Sequence, residues 1–278
     1  MAKVTLWDKK IRKDFAERIS AISTIASLGL MFGDIPEEHK TTLGIIFALF
    51  LILLYLYLWW WLGNLKNIDL NIEGSTVTIK TGDLFKEKGF KAIAFNEYFD
   101  TLVDDKIIAK RSLNGIFIQN HLNCSVEELD RRIDEFTFAP EEFKGENAAR
   151  PEGKKKRYAP GTLYVHDDFL LTAFAKFDEH NCAWLTMPDY LAFLLQFWDK
   201  VNRVYAQRSV SVPVFGSGIT RIKGNNNISD EDLLKIMLWT FRISEMKFKY
   251  PAKLTIIIHP DKIRAINLLD IKSARDGL

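Results

Sequence analysis

With 278 residues and a net charge of +2, this chain can form one large domain or two modest ones, and it lacks the charge excess of a nucleic-acid binder. Nearly half of its residues are hydrophobic, and much of that content lies before residue 63. Its two cysteines, Cys124 and Cys182, form no CxxC pair, which argues against a disulfide framework and fits a reducing compartment.

The first apolar stretch is Ile19–Phe32, ISAISTIASLGLMF. It is short for a membrane span. Phe15 and Ala16 extend it, and Arg18 can snorkel to the interface, which sets the expected span at about 16–33. The second stretch, Leu43–Leu62, holds no charge. As a helix it rises roughly 30 Å, the thickness of a bilayer's hydrocarbon core. A buried core helix of that length would show a polar face, and this one shows none. Tyr55, Tyr57, Trp59, Trp60 and Trp61 crowd one end, where such rings favour the headgroup level. A cleaved signal peptide is disfavoured, because no small-x-small site follows the first stretch.

Charge orients the pair. Lys3, Lys9, Lys10, Arg12, Lys13 and Arg18 precede the first stretch, the connecting loop GDIPEEHK is acidic, and Lys66 follows the second. The positive-inside rule then gives a multi-pass hairpin over residues 1–63 with N- and C-termini cytoplasmic. Ser20, Ser23, Thr24 and Ser27 share one face of the first helix. Packing of these small residues against the second helix is expected ahead of a polar, pore-lining seam.

Residues 64–278 read as a soluble α/β domain. Strands are expected at Ile68–Glu73, Thr76–Lys80, Lys91–Asn96, Thr162–Val165, Leu170–Phe177, Val210–Phe215 and Lys253–His259. Helices are expected at Asp104–Arg111, at Ser125–Glu135 with a Ser125/Glu128 capping box, at Asp189–Tyr205, and at Ser229–Met246 with Ser229 as N-cap. Phe136–Pro160, rich in Pro, Gly and charge and holding Lys154-Lys155-Lys156-Arg157, reads as a solvated loop, with lipid headgroups as a minor partner. Strands alternating with helices imply a mixed or parallel sheet with helices on its faces.

The chemistry points to VPVFGSGITRI, Val212–Ile222. A buried strand there runs into a glycine turn followed by Ser217, Thr220 and Arg221. Glycines let backbone N–H groups converge on an anion. Asp83, after Gly82, and Asn96 each stand at an expected strand end, where open α/β sheets place ligands. Each of these signals is weak alone, since a tight turn explains any one of them. The Rossmann and Walker spacings are missing, no GxSxG elbow occurs, and His121/Cys124 and His180/Cys182 lack second halves at zinc spacing. His166-Asp167-Asp168 reads as a solvated acid run.

Taken in order, strand–Gly82-Asp83-Leu84, strand–Asn96 and strand–Phe215-Gly216-Ser217-Gly218-Ile219 resemble the macro domain. With the two N-terminal helices, FNEYFDTLVDD at Phe95–Asp105, SLNG at Ser112–Gly115 and PVFGSGITR, the chain resembles the membrane-bound ThsA effectors of type II Thoeris anti-phage systems over nearly its whole length. The resemblance implies a three-layer α/β/α macro-like domain behind a two-helix transmembrane hairpin. It implies that Asp83, beside Leu84, reads adenine, that Asn96 lies near the distal ribose, and that Ser217 to Thr220, through Gly218 and Ile219, cradle the phosphates, with Phe215, Gly216 and Arg221 also in the ligand-binding loop.

The implied ligand is an ADP-ribose derivative, histidine-ADP-ribose, made by a TIR-domain partner. The implied outcome is homo-oligomerisation in the lipid bilayer of a bacterial inner membrane and damage to that membrane. No catalytic residue, resident cofactor, metal or nucleic acid is implied. Hydrolytic macro domains carry a glycine-rich loop after the asparagine, whereas Glu97–Asp105 has no glycine, which favours binding over turnover. The competing readings are a membrane-anchored ADP-ribosyl hydrolase, with Asn96 and Asp104 or Asp105 orienting water, and a passive tethered scaffold.

Overall fold

The computed structural model describes residues 4–33, 35–224 and 228–273, with the backbone alone at Arg221 and Ser273. The chain forms two compact units. One runs to Lys66 and takes in Ile263–Ser273, and the other is Asn67–Lys262.

In the first unit, helix α1 spans Lys9–Leu30 and α2 spans Glu37–Gly63. The Asp8 carboxylate caps α1 by accepting from the Lys10 N–H at 2.9 Å, and Glu37 and Glu38 complement the positive end of α2. The Phe15 ring meets the Tyr55 ring edge-on at 5.0 Å. The Trp59 indole donates to the Val4 carbonyl at 3.3 Å, and the Tyr55 hydroxyl donates to the Leu6 carbonyl. The start of α1 therefore lies beside the end of α2, and the helices run antiparallel.

Among the described residues, α2 alone is long and apolar enough to cross a membrane, and almost none of its apolar surface is covered by protein. A soluble core helix would be covered. The expected first span is shorter than a bilayer: α1 begins in the charged run at Lys9, and its charge-free part, Ile19–Leu30, rises only about 18 Å. The expected packing of the Ser/Thr stripe is also corrected. Ser20, Ser23, Thr24 and Ser27 are exposed, while Phe15, Ile19 and Ile22 are partly buried. Branched and aromatic side chains offer more contact area to α2 than hydroxyls do. The Thr24 hydroxyl donates to its own helix, at the Ser20 carbonyl, 2.8 Å away.

The second unit is built on strands β1 (Asn67–Ile72), β2 (Ser75–Thr81), β3 (Phe90–Asn96), β4 (Phe143–Glu146), β5 (Lys156–Tyr158), β6 (Leu163–His166), β7 (Phe169–Phe177), β8 (Ala183–Thr186), β9 (Val210–Pro213), β10 (Arg221–Lys223) and β11 (Leu254–Ile258). Its helices are α3 (Leu113–Asn120), α4 (Val126–Glu135), α5 (Met187–Val204) and α6 (Asp230–Ile243), and α7 (Leu268–Ser273) belongs to the first unit. The main sheet runs β1-β2-β11-β9-β3-β7-β8-β10, with β6 also on β7, and β4 pairs with β5 alone. The five central strands β2, β11, β9, β3 and β7 are parallel.

Helices cover both faces, as a parallel core requires. On one side Ile93, Phe95, Leu171 and Ala173 share an apolar core with Phe117, Ile118, Leu129 and Ile133 of α3 and α4. On the other, Phe174 packs against Tyr190 and Phe193 of α5, and Trp198 of α5 meets Phe241 of α6 at 5.3 Å. The result is the expected α/β/α sandwich.

Three local expectations are corrected. Asp104–Arg111 forms bends, and the helix starts at Leu113 behind Ser112. The reason is side-chain competition. Asp104 accepts from the Lys106 and Ile107 N–H groups at 2.8 Å each, and Asp105, at φ 64°, accepts from Lys110 N–H at 2.8 Å. Gly115 is needed in that helix, because a Cβ would sit 2.4 Å from the Ala109 carbonyl oxygen. Second, Ser125 caps α4, but the Glu128 side chain turns to Arg131 and Arg132 rather than closing the box. Third, Phe136–Pro160 contains the β4–β5 hairpin with Glu142, Arg150 and Tyr158 buried. Its lysines face the acids of α4, Lys154 with Asp130 and Lys156 with Asp134.

Candidate functional site

Parallel strands end together. The carboxyl ends of β2, β11, β9, β3 and β7 line one edge of the sheet. Asp83 follows β2, Asn96 closes β3, and the segment Val214–Thr220 leaves β9 between them. The Gly82 N–H donates to the Ile258 carbonyl at 3.1 Å, which ties the β2 end to the β11 end. From β2 to β3 is three strand spacings, about 14 Å. The fold thus brings all three expected groups to one edge.

The segment after β9 begins with a tight turn. Ser217 N–H donates to the Val214 carbonyl at 3.2 Å, and Gly216 sits at φ 84°. That is a type II turn, whose third position takes glycine without strain. The Ser217 hydroxyl also donates to the Val214 carbonyl, at 2.8 Å, so its remaining capacity is as an acceptor, and the donors this segment can offer are backbone N–H groups. Phe215 is buried, Gly216, Ser217 and Thr220 are half-buried, and Gly218 and Ile219 are exposed. At Arg221 the backbone pairs with Trp184, and its side chain lies outside the described residues. Because β8 is antiparallel to β7 and β10 parallel to β8, β10 starts at this same edge. The segment therefore runs along the edge, past the ends of β3 and β7.

Tyr190 anchors that segment. It is fully buried in α5 and its hydroxyl donates to the Phe215 carbonyl at 2.9 Å. Burial pushes the phenol far above its ordinary range, so it remains a donor. Replacing Tyr190 with Phe leaves a buried carbonyl unpaired, and thermal or urea unfolding should register a loss of about 1–2 kcal/mol.

Asp83 caps a short 3₁₀ turn, Leu84–Lys86, accepting from the Phe85 N–H at 3.0 Å. Its carboxylate is about half exposed, at 48%. Leu84 is buried in the core with Ile93 and Ile257, so what it offers the edge is backbone. Thr81, just before, has a buried hydroxyl with no partner among the described residues.

Asn96 is buried and engaged. Its Oδ1 accepts from the N–H groups of Tyr98 at 3.0 Å and Asp100 at 3.2 Å, and its Nδ2 donates to Asp100 Oδ2 at 2.8 Å. Asp100 in turn receives Arg150 through both guanidinium arms, at 3.1 and 2.7 Å, and the Lys154 N–H at 2.8 Å. Arg150 also donates to the Asn181 side chain at 3.0 Å and stacks on Tyr98 at 3.9 Å. The segment after Asn96 is thus clamped by the β4–β5 insertion, and the Tyr158 N–H adds a bond to the Glu97 carbonyl at 2.8 Å.

Glu97 accepts from the Phe177 N–H at 3.2 Å at the same edge. Burial raises its carboxyl above the ordinary range, against the pull of Arg157, Lys176 and Arg150. A carboxyl raised on folding contributes stability below its unfolded pKa of 4.5 that is lost as pH rises through the folded value. Glu97→Gln should therefore raise the melting temperature at pH 7, and the gain should shrink as pH falls toward 4.

Tyr190, Asp100, Arg150, Glu97 and Thr81 are edge residues that sequence reasoning did not single out as contributing to the site. Asp100 and Glu97 sat inside the quoted FNEYFDT. Arg150 had only a faint signal, a lone arginine between Asn147 and the Pro151–Gly153 turn. Among the described residues no group of three His, Cys, Asp or Glu side chains is placed to hold a metal. Asp168 pairs with Arg208, which holds its carboxyl below the usual range.

Residues 77–259 match the family model for the Macro domain of Thoeris protein ThsA. Over 277 residues the chain is 38% identical to the Thoeris protein ThsA of Bacillus amyloliquefaciens (strain Y2), covering 98% of this chain and 92% of that one. Among solved structures, the Oceanobacillus iheyensis macrodomain with MES bound superposes with a TM-score of 0.47 at 14% identity, covering 76% of this chain and 98% of that one. The same macrodomain with ADP gives 0.47 at 13% identity, with coverage of 76% and 98%.

Proposed function

We propose, from the premise that this chain belongs to the Thoeris ThsA family, that it is a membrane effector of anti-phage defence whose macro domain binds histidine-ADP-ribose supplied by a TIR-domain partner. The observation that carries the reading is the meeting of Asp83, the Val214–Thr220 segment and Asn96 on one carboxyl edge. Asp83 offers a half-exposed acceptor to an exocyclic amine. The turn at Gly216 offers backbone donors to a diphosphate, as anion-binding loops do. Asn96, with the edge around Glu97, borders the distal ribose and what it carries.

Binding rather than turnover is favoured by the segment after Asn96. Tyr98, Phe99 and Asp100 are buried there, and the side chains of Asp104 and Asp105 are spent on backbone N–H groups rather than on a water. In the membrane, α2 is the anchor, and α1, too short to span alone, crosses only paired antiparallel with it, so that the hairpin is multi-pass in the inner membrane with both termini cytoplasmic. Signal binding favours an assembled state in which the hairpins of several copies disrupt the bilayer.

Calorimetry on the full-length chain in detergent tests this. ADP-ribose and histidine-ADP-ribose should bind, the second more tightly. Asp83→Ala should weaken both about 10- to 100-fold, the worth of one lost hydrogen bond to a charged group. No binding of either compound would sink the reading, and steady release of product from an ADP-ribosylated substrate would replace it with a hydrolase.

A further inference from the structure

The C-terminal segment does not stay with the sheet that precedes it. After β11 and four residues, His259–Lys262, the chain leaves the second unit, and Ile263–Ser273 joins the α1–α2 hairpin. The contacts there are specific. The Lys10 ammonium donates to the Leu269 carbonyl at 3.0 Å and pairs with the Asp270 carboxylate. Asp8, whose other oxygen caps α1, accepts from the Asn267 amide at 3.5 Å. Ile11 is the one buried residue of α1, and Leu58 lies buried near the end of α2. Ile266, Leu268 and Ile271 are buried as well.

We infer that Ile263–Ser273 is a clasp that holds the foot of the hairpin in a resting pairing, and that its release frees α1 and α2 to pair with other copies. A six-residue helix has too few turns to hold itself in water, so α7 exists only while docked. The contacts that hold it include the buried Ile266, Leu268 and Ile271 and the Lys10–Asp270 ion pair, and short docked segments of this kind are where switching elements are found.

Its position supplies the trigger. The clasp hangs from β11, whose last carbonyl accepts from Gly82, the neighbour of Asp83. A ligand held by Asp83 is connected to the clasp through Gly82, the Ile258 carbonyl and residues His259–Lys262. It drives release only as far as it binds the released state more tightly. This trigger rests on the sensor reading above. The clasp itself rests on the contacts of the first unit.

The test uses the full-length chain in detergent, with assembly size read by light scattering and no ligand added. Lys10→Met removes the cation and keeps the stem, while Lys10→Arg keeps both partners within reach. The Lys10→Met chain should assemble at protein concentrations at least tenfold below those the wild type needs, and Lys10→Arg should behave as wild type. Leu268→Asp breaks the apolar contact and should act like Lys10→Met. If it fails to unfold cooperatively on heating, the Lys10 pair decides alone. Wild-type assembly in Lys10→Met overturns the clasp, as does a wild type that is already fully assembled. Calorimetry with ADP-ribose on the same samples separates the two claims. Ligand binding alongside wild-type assembly in Lys10→Met removes the clasp and leaves the sensor, whereas ligand-free assembly of Lys10→Met with no binding of ADP-ribose or histidine-ADP-ribose removes the sensor and leaves the clasp.

Discussion

Arg150→Ala is expected to destabilise the sheet unit by about 3–5 kcal/mol, the usual cost of removing one partner from a buried ion pair. Both side chains are almost fully buried, at 5% and 1% exposure. The loss leaves the Asp100 carboxylate with bonds from only the Asn96 amide and the Lys154 N–H among those it now holds. The consequence reaches the edge. Asp100 holds Asn96, and Asn96 organises the N–H groups of Tyr98 and Asp100. Urea unfolding should show the stability loss. Calorimetry below the transition should show weaker ADP-ribose binding, because the distal side of the edge must then be ordered by the ligand. A purely local role would lower stability and leave affinity unchanged. Arg150→Lys should recover little of either, since an ammonium cannot make the two-armed contact.

Leu53→Arg is expected to detach the chain from membranes. Leu53 stands near the middle of the charge-free run and is 65% exposed on α2. A charge at the centre of a spanning helix costs about 2.5–3.5 kcal/mol on insertion scales. The twelve or so residues of apolar surface on α1 do not provide a second independent span. Membrane flotation of cell extracts should move the variant from the lipid to the soluble or aggregated fraction, while Leu53→Ile stays with the lipid. Flotation of the arginine variant with the membranes at wild-type yield would mean that α2 is not the anchor.

What could be read from sequence follows from the range of the interactions. Strands such as Lys91–Asn96 and Lys253–His259 were legible because a buried strand writes itself as an unbroken apolar run, and the N-caps at Ser125 and Ser229 were legible because a cap acts three residues away. The site was half legible. A strand followed by Gly82-Asp83 and another by Gly216 stand out locally, but that their ends lie two strands apart on one edge depends on β11 and β9 settling between β2 and β3, which no local pattern encodes.

The Arg150–Asp100 pair bridges fifty positions and sits among prolines, glycines and lysines whose average behaviour is to be solvated, so composition pointed the wrong way. Asp104–Arg111 failed for the opposite reason. The apolar spacing suited a helix, and two aspartates at its start captured the backbone donors that a helix would need. For the Ser/Thr stripe, the spacing correctly defined a face but could not say which face α2 would choose.

The run from Pro213 to Arg221 crosses four strand spacings, about 19 Å. Its eight virtual bonds reach only about 26–29 Å when fully drawn out, and the turn at Gly216 consumes part of that. Little contour is left over, so this strip of backbone is closer to a tensioned strap than to a flap. On the proposed sensor reading it has few shapes to lose when an anion arrives, and the entropic toll of binding has largely been met by folding. An exposed side chain on it such as Ile219 can be exchanged with modest effect, unlike the buried Phe215 or the turn glycine Gly216, but its length cannot change: removing two residues would force β10 off the sheet, whereas adding two would let the strap sag and forfeit the advantage.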